Sequence, residues 1–258
     1  MNLLPLSLAL LVAQPAVADS PFNGNWVMDI ASLQLPPEIS VFSLGRGNFS
    51  RATIGPGFAV KADGRFHRIA SDGYVDAVAV TVLGPRRVRE TDRLGGRTIY
   101  VVTYDVSVDG RTMTARVVDY GRPDHKPIPT VVTRTRIDKA RPGAPFDGRW
   151  QAGGMTTTHA HLTRRFRLVG NRFSNTGSGG DGYEAVIGGP PAAVSGDAAT
   201  ARSAVAMPDD HTIVERNYVD GVLKTTKTMT LLPDGRTIRV ALRLSAETTD
   251  RMWLLRRE

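Results

Sequence analysis

A six-residue signature, Pro21-Phe22-Asn23-Gly24-Asn25-Trp26, returns 124 positions later as Pro145-Phe146-Asp147-Gly148-Arg149-Trp150. Two copies of one motif at this separation split a 258-residue chain into two similar parts. Each part has roughly 110–120 residues, enough to bury a core of its own. It must fold on burial alone. The chain has no cysteine, so disulfides and Cys-based zinc or iron–sulfur sites are excluded.

The pattern after each signature is that of β structure. In the first part Val88–Leu94, Gly95-Gly96, Arg97–Val108, Asp109-Gly110 and Arg111–Val118 read as a three-stranded meander. Ile213–Val219, Asp220-Gly221, Val222–Leu232, Pro233-Asp234-Gly235 and Arg236–Leu244 repeat it at an offset of 125. Glycine-bearing pairs between alternating runs mark hairpin turns, because the tight turn needs positive φ. Tyr100, Val102, Tyr104, Val106 and Val108 fall on one face of their strand, as do Ile238, Val240, Leu242 and Leu244. Period two predicts antiparallel sheet with one buried face, and no sustained 3.6-residue apolar period predicts a long helix in the mature chain.

Earlier in each part the pattern predicts a further hairpin: Gly57–Ala62, Asp63-Gly64 and Arg65–Ile69 in the first, Phe166–Val169, Gly170-Asn171 and Arg172-Phe173 in the second. Asp72-Gly73-Tyr74 and Asp181-Gly182-Tyr183 form a second matched pair. Two prolines bar a central strand in Asp29–Pro37, which ends in Leu35-Pro36-Pro37 and reads as a loop or lid. Asn175–Asp181 reads as a flexible glycine loop. The division expected is residues 19–137 and 145–258, with 138–144 as a Pro- and Gly-bearing linker.

Residues 1–18 have a different character. Leu3–Val12 is a short apolar run, and Ala16-Val17-Ala18 is a small-residue cleavage site, although no Lys or Arg precedes the run. This pattern predicts a secretory signal peptide. No Cys follows to carry a lipid, and no later segment is apolar over the roughly 20 residues a spanning helix needs. The expectation is a periplasmic or secreted protein.

The formal net charge is +8, nearly all from Arg. Arg pairs in a fork with carboxylates and phosphates. The charges are scattered and aromatics make up only 7%, which argues against nucleic acid as a partner. Two readings stay open: solvated faces written with Arg, or attraction to anionic headgroups and polymers.

Each part opens with Gly-x-Trp, continues through hairpins and closes on an Arg-bearing strand. The arrangement resembles the lipocalin-like (calycin) barrels found in exported bacterial proteins. The resemblance implies an all-β fold of two consecutive small antiparallel barrels. It also implies that the early Trp plugs one barrel end and that an Arg of the last strand lies across its ring. The matching positions are Gly24 and Trp26 with Arg134 or Arg136, and Gly148 and Trp150 with Arg256 or Arg257. Two β-sandwiches, or one continuous β structure, are the alternative architectures.

Such barrels imply a non-enzymatic binding protein holding a small apolar or amphipathic ligand, without a cofactor. Candidate ligand-binding residues are Glu90, Glu215, Tyr100, Tyr104 and Lys227. Glu90 and Glu215 are equivalent in the repeat: facing inward they are polar anchors needing a partner, facing outward they are rim groups. Lys227 stands where the first part has Val102, and either meets an anionic headgroup or snorkels at a barrel mouth. A cell-envelope interaction module is a second reading. A third is a metal-dependent enzyme using His159 and His161, which a strand would place on one side, with His211 as a further ligand. No nucleophile elbow, zinc-protease helix or phosphate loop is present.

Overall fold

A computed structural model describes residues 20–53, 57–70, 73–196 and 201–258. The expected leader and Asp72 lie outside the described residues. In chain order the strands are β1 (Gly24–Gln34), β2 (Ile39–Gly45), β3 (Asn48–Ala52), β4 (Phe58–Lys61), β5 (Asp63–Arg68), β6 (Ala77–Gly84), β7 (Arg87–Leu94), β8 (Arg97–Val106), β9 (Thr112–Asp119) and β10 (Ile128–Arg136). There follow β11 (Gly148–Thr157), the single helical turn α1 (His159–Leu162), β12 (Thr163–Val169), β13 (Arg172–Gly177), β14 (Gly182–Val186), β15 (Ala192–Ala193), β16 (Ala201–Asp209), β17 (Thr212–Val219), β18 (Val222–Leu231), β19 (Thr237–Leu244) and β20 (Arg251–Arg257). The fold is all-β, with two nearly closed antiparallel barrels of ten strands each.

The barrels have exchanged their first strands. The first runs β4-β3-β2-β11-β10-β9-β8-β7-β6-β5, and the second runs β14-β13-β12-β1-β20-β19-β18-β17-β16-β15. The first barrel is therefore the unbroken stretch 39–157, inserted between β1 and β12 of the second. Its ends lie side by side: Ile39 pairs with Gln151, and Ala152 N donates to Glu38 O at 2.9 Å. The loop expected over Asp29–Pro37 is shorter than that, because Asp29–Gln34 belongs to β1; Leu35-Pro36-Pro37 is one crossover between the barrels, and α1 is part of the other. The segment 138–144 lies inside a hairpin, because β10 and β11 are antiparallel neighbours in one sheet.

The signature explains why the exchange is possible. Gly24 pairs with Phe166 as Gly148 pairs with Phe42, and Trp26 pairs with Arg257 as Trp150 pairs with Arg136. Either strand fits either barrel in the same register. A short linker makes it easier for β11 to fold back on β10 than to reach a distant edge, which leaves β1 to complete the second barrel. The plug is accordingly a correction to the sequence expectation: Trp26 lies under Arg257, with Cζ 4.7 Å from the ring centroid, and Trp150 lies under Arg136 at 4.2 Å. Each Trp is fully buried and donates its indole N–H to the Phe carbonyl of its own signature, at 2.8 and 3.0 Å. Asn23 and Asp147 tie the exchanged strands down. Their side-chain oxygens accept the amides of Leu168 and Leu44, at 2.5 and 2.7 Å.

Both meanders form as the alternation predicts. Val102, Tyr104 and Val106 are buried, and Val108, past the strand end, is exposed. Ile238 and Val240 are fully buried in the second core. The Asp63-Gly64 hairpin does not form. β4 pairs with β3 and β5 with β6, so the chain bends near Ala62 rather than reversing, and the bend brings the two sheet edges together. The Gly170-Asn171 hairpin does form, and its counterpart is the β2–β3 turn, since Phe42 and Phe49 match Phe166 and Phe173.

The match for Gly182-Tyr183 is Gly57-Phe58, not Gly73-Tyr74. A side chain at Gly182 would sit 2.3 Å from Asn175 O, and one at Gly57 would sit 2.3 Å from Arg51 O. These glycines do the same thing at the same place in each barrel.

Candidate functional site

The predicted carboxylates face inward. Glu90 is fully buried on β7, and Glu215 is 1% exposed on β17. An ionised carboxylate in such surroundings must be paired and hydrogen-bonded, and the two barrels meet that demand with different residues. In the first barrel Arg51 on β3 forks Glu90, with Nη2 to Oε1 at 2.7 Å and Nε to Oε2 at 3.3 Å, and the Tyr104 hydroxyl donates to Oε2 at 3.2 Å. In the second, the Lys227 ammonium contacts Oε2 of Glu215 and Asn175 Nδ2 donates to Oε1 at 2.8 Å. The Tyr183 hydroxyl faces Glu215 and Asn175 without a hydrogen bond of ordinary geometry.

The strand registers show what has been traded. Arg51 pairs with Phe58, and Asn175 pairs with Tyr183; Glu90 pairs with Val102, and Glu215 pairs with Lys227. Asn175 thus stands in the place of Arg51, Lys227 in that of Val102, and Tyr183 in that of Phe58. One position loses the cation as another gains it. The phenol moves likewise, since Met229 on β18 occupies the place of Tyr104. Both barrels keep a buried carboxylate, a cation and a tyrosine.

The electrostatics follow from burial. Burial first, and then Glu90, pushes the Tyr104 phenol far above its usual range. The same two causes, with Glu215 as the charge, raise Tyr183. Burial opposes the charge on Arg51, but Tyr104 and Glu90 outweigh it and hold the guanidinium protonated.

In the second barrel the carboxylate cluster borders a cavity at the mouth. This cavity, about 260 Å³, has an apolar wall that includes Met28, Phe166, Met229, Trp253 and Leu255, with Lys227 and Arg164 as its cations. Met28 comes from the exchanged β1. Met155 on β11 and Leu162 on α1 reach in from the other barrel and the crossover.

A second hollow of about 260 Å³ lies between the barrels, lined from one side by Tyr100, Asp119 and Arg122 and from the other by His161, Arg164 and Ser178. His161 and Arg164 border both spaces. A larger groove of about 570 Å³ lies outside the first plug. Its Arg136 is committed to Trp150.

Of the predicted residues, the structure groups Glu90 with Tyr104, and Glu215 with Lys227. Tyr100 packs against the first core and lines the hollow between the barrels. Lys227 neither snorkels nor stands free, because its ammonium turns inward to Glu215. Sequence reasoning missed Arg51, Asn175, Arg164 and Trp253. Arg51 and Asn175 could have been found by demanding a partner for each buried glutamate.

The paired imidazoles expected for metal do not form. His159-Ala160-His161 is a helical turn, not a strand, so residues two apart point away from each other. His159 contacts Glu258 at 2.8 Å instead. Burial lowers the pKa of His161. Among the described residues no three His, Cys, Asp or Glu side chains are grouped to hold a metal ion.

The fold defines a class: paired, nearly closed antiparallel barrels, with a cavity at the mouth of the second. No known family model matches the chain, and no curated protein is significantly similar to it. Among the described residues no helix is long and apolar enough to cross a membrane.

Proposed function

We propose that this protein is an exported, lipocalin-like binding protein without enzymatic activity, and that its ligand site is the mouth cavity of the second barrel. The ligand class is a small apolar or amphipathic molecule with an acceptor or anionic group for Lys227. The observation that carries this reading is the apolar cavity of about 260 Å³ with an ammonium at its wall. That volume is at the small end of known ligand sites. An ammonium has three protons to donate, and Glu215 takes only one contact from it, so a ligand group can share it. The first barrel differs at this point, since Val102 stands in the place of the lysine.

The test uses dansylaminoundecanoate, a fluorescent amphiphile with a carboxylate head. Bound in the cavity, it accepts energy from the nearby Trp253, and the transfer falls sharply in Trp253→Phe. Saturable binding at one site, competed by unlabelled long-chain carboxylate, is the expected result. No saturable binding of either compound would refute the reading.

A further inference from the structure

We infer that Arg122, carried by the inserted first barrel, is a positioning residue for the cavity of the second barrel. The inference rests on the reading of that cavity as the ligand site. Arg122 stands at one end of a polar chain whose other end is Lys227. Its Nε lies 3.5 Å from Asp181 Oδ1, and its Nη2 donates to Ser178 Oγ at 3.1 Å. The second oxygen of Asp181 is held by Arg164 Nη1. Arg164 Nε donates to Asn175 Oδ1 at 2.8 Å, and Asn175 Nδ2 donates to Glu215 Oε1 at 2.8 Å. Glu215 Oε2 takes the Lys227 ammonium.

Each link constrains the next. Arg164 can only donate, so it fixes which end of the Asn175 amide faces it and therefore which end faces Glu215. That choice leaves one oxygen of Glu215 for Lys227 and sets where the ammonium sits against the cavity. Arg164 is in turn steered by Asp181, whose other oxygen belongs to Arg122. Without Arg122, Asp181 turns wholly to Arg164, and the strain passes down the line.

Two further observations support a built arrangement. The glycine loop is moulded on these charges: a side chain at Gly179 would sit 1.9 Å from Arg122 Nε, and one at Gly177 would sit 2.3 Å from Asp181 Oδ1 and 2.6 Å from Arg164 Nη1. The first barrel differs at the matching position. Ser40, which faces Trp150 as Arg164 faces Trp26, bonds instead to Thr53 at 2.8 Å. The relay runs beside the cavity of the second barrel, and its outer anchor comes from the first.

The test measures dansylaminoundecanoate affinity in the full chain. Arg122→Gln and Gly179→Ala, which displaces the guanidinium while keeping it, should each weaken binding by about two- to thirtyfold. Arg122→Lys should restore part of the loss. In a Lys227→Met background, Arg122→Gln should cause little further loss, because the chain no longer ends on a donor. Additive losses in the two backgrounds, or an unchanged affinity in Arg122→Gln, overturn the inference. A readout without ligand separates this from failure of the binding reading. The side-chain ¹⁵N resonance of Lys227, one of five lysines in the chain, should shift in Arg122→Gln and Gly179→Ala but not in the remote Arg86→Gln. If the wild-type protein binds no probe, the proposed function fails, and an unmoved Lys227 resonance is then what overturns the relay.

Discussion

The exchanged strands make a sharp prediction about where the chain can be cut. Residues 38–158 hold every strand of the first barrel, with Phe146 and Trp150 included. Residues 19–137, the unit bounded by the signature and the linker, lack both. Phe146 and Trp150 are fully buried in the first core. Removing a buried Phe or Trp side chain costs about 3–5 kcal/mol, so losing both costs roughly 6–10 kcal/mol. A whole domain has only about 5–15 kcal/mol of stability. The loss of β11 also uncovers the facing edges of β2 and β10. Fragment 38–158 should therefore unfold cooperatively in urea, with Trp150 fluorescence as the probe, while fragment 19–137, which can close the barrel only by drawing β1 into the place of β11, should be the less stable of the two. Fragment 159–258 should be unfolded alone and gain a cooperative transition when the peptide 20–35 is added in trans. Cooperative folding of 19–137 as a monomer with a buried Trp26, together with failure of 38–158, would show that the strands are not exchanged in solution.

Four other outcomes follow from the same geometry. Arg51→Asn leaves Glu90 buried without its cation and should cost about 3–5 kcal/mol in a urea titration; adding Val102→Lys copies the second barrel's solution and should recover a good part of that loss. Burial holds Tyr104 and Tyr183 neutral, so ultraviolet titration should find them silent above pH 10, the usual tyrosine value, until the protein unfolds. Because both pKa values are raised, their contribution to stability is complete below the unfolded value and is lost as pH rises above about 10, which a series of alkaline melts would read. Gly148→Ala should destabilise more than Gly24→Ala: both have positive φ, at 148° and 138°, but only at Gly148 does the new carbon meet a group, 2.2 Å from Arg136 Nη1.

Much of the architecture was legible because it rests on period and repetition. The alternation from Tyr100 to Val106 reports a face, and the face is buried as expected. The partner of each signature strand was not legible. Two strands with the same glycine, tryptophan and register carry no information about which barrel each completes. The choice lies in the linker length, a property of the chain between them rather than of either strand. Asp63-Gly64 failed for a related reason: Gly64 does take positive φ, at 76°, but a bend needs it as much as a hairpin does. In sequence His159-Ala160-His161 reads as strand because its neighbours on both sides are strand, while the crossover between barrels needs a turn. The partners of Glu90 and Glu215 were hidden because Arg51 and Asn175 come from a strand whose repeat assignment depended on that misplaced hairpin.

The trade between Arg51 and Lys227 bears on what the two barrels do. If the buried glutamate served only packing, the simplest course for either barrel would be an apolar replacement, which is often neutral or stabilising for a buried ion pair. Both barrels instead keep the carboxylate and rebuild its surroundings. The two rebuildings differ in one consequence. An arginine fork from β3 fills both oxygens of Glu90. A lysine on β18, sharing Glu215 with Asn175, keeps donors at the cavity wall. Moving the cation from one strand to another thus rebuilds the ion pair without moving the carboxylate, and places the second barrel's ammonium at the cavity wall. By this argument the glutamate is the fixed point of each barrel, and the strand that carries its cation decides where the remaining donors point.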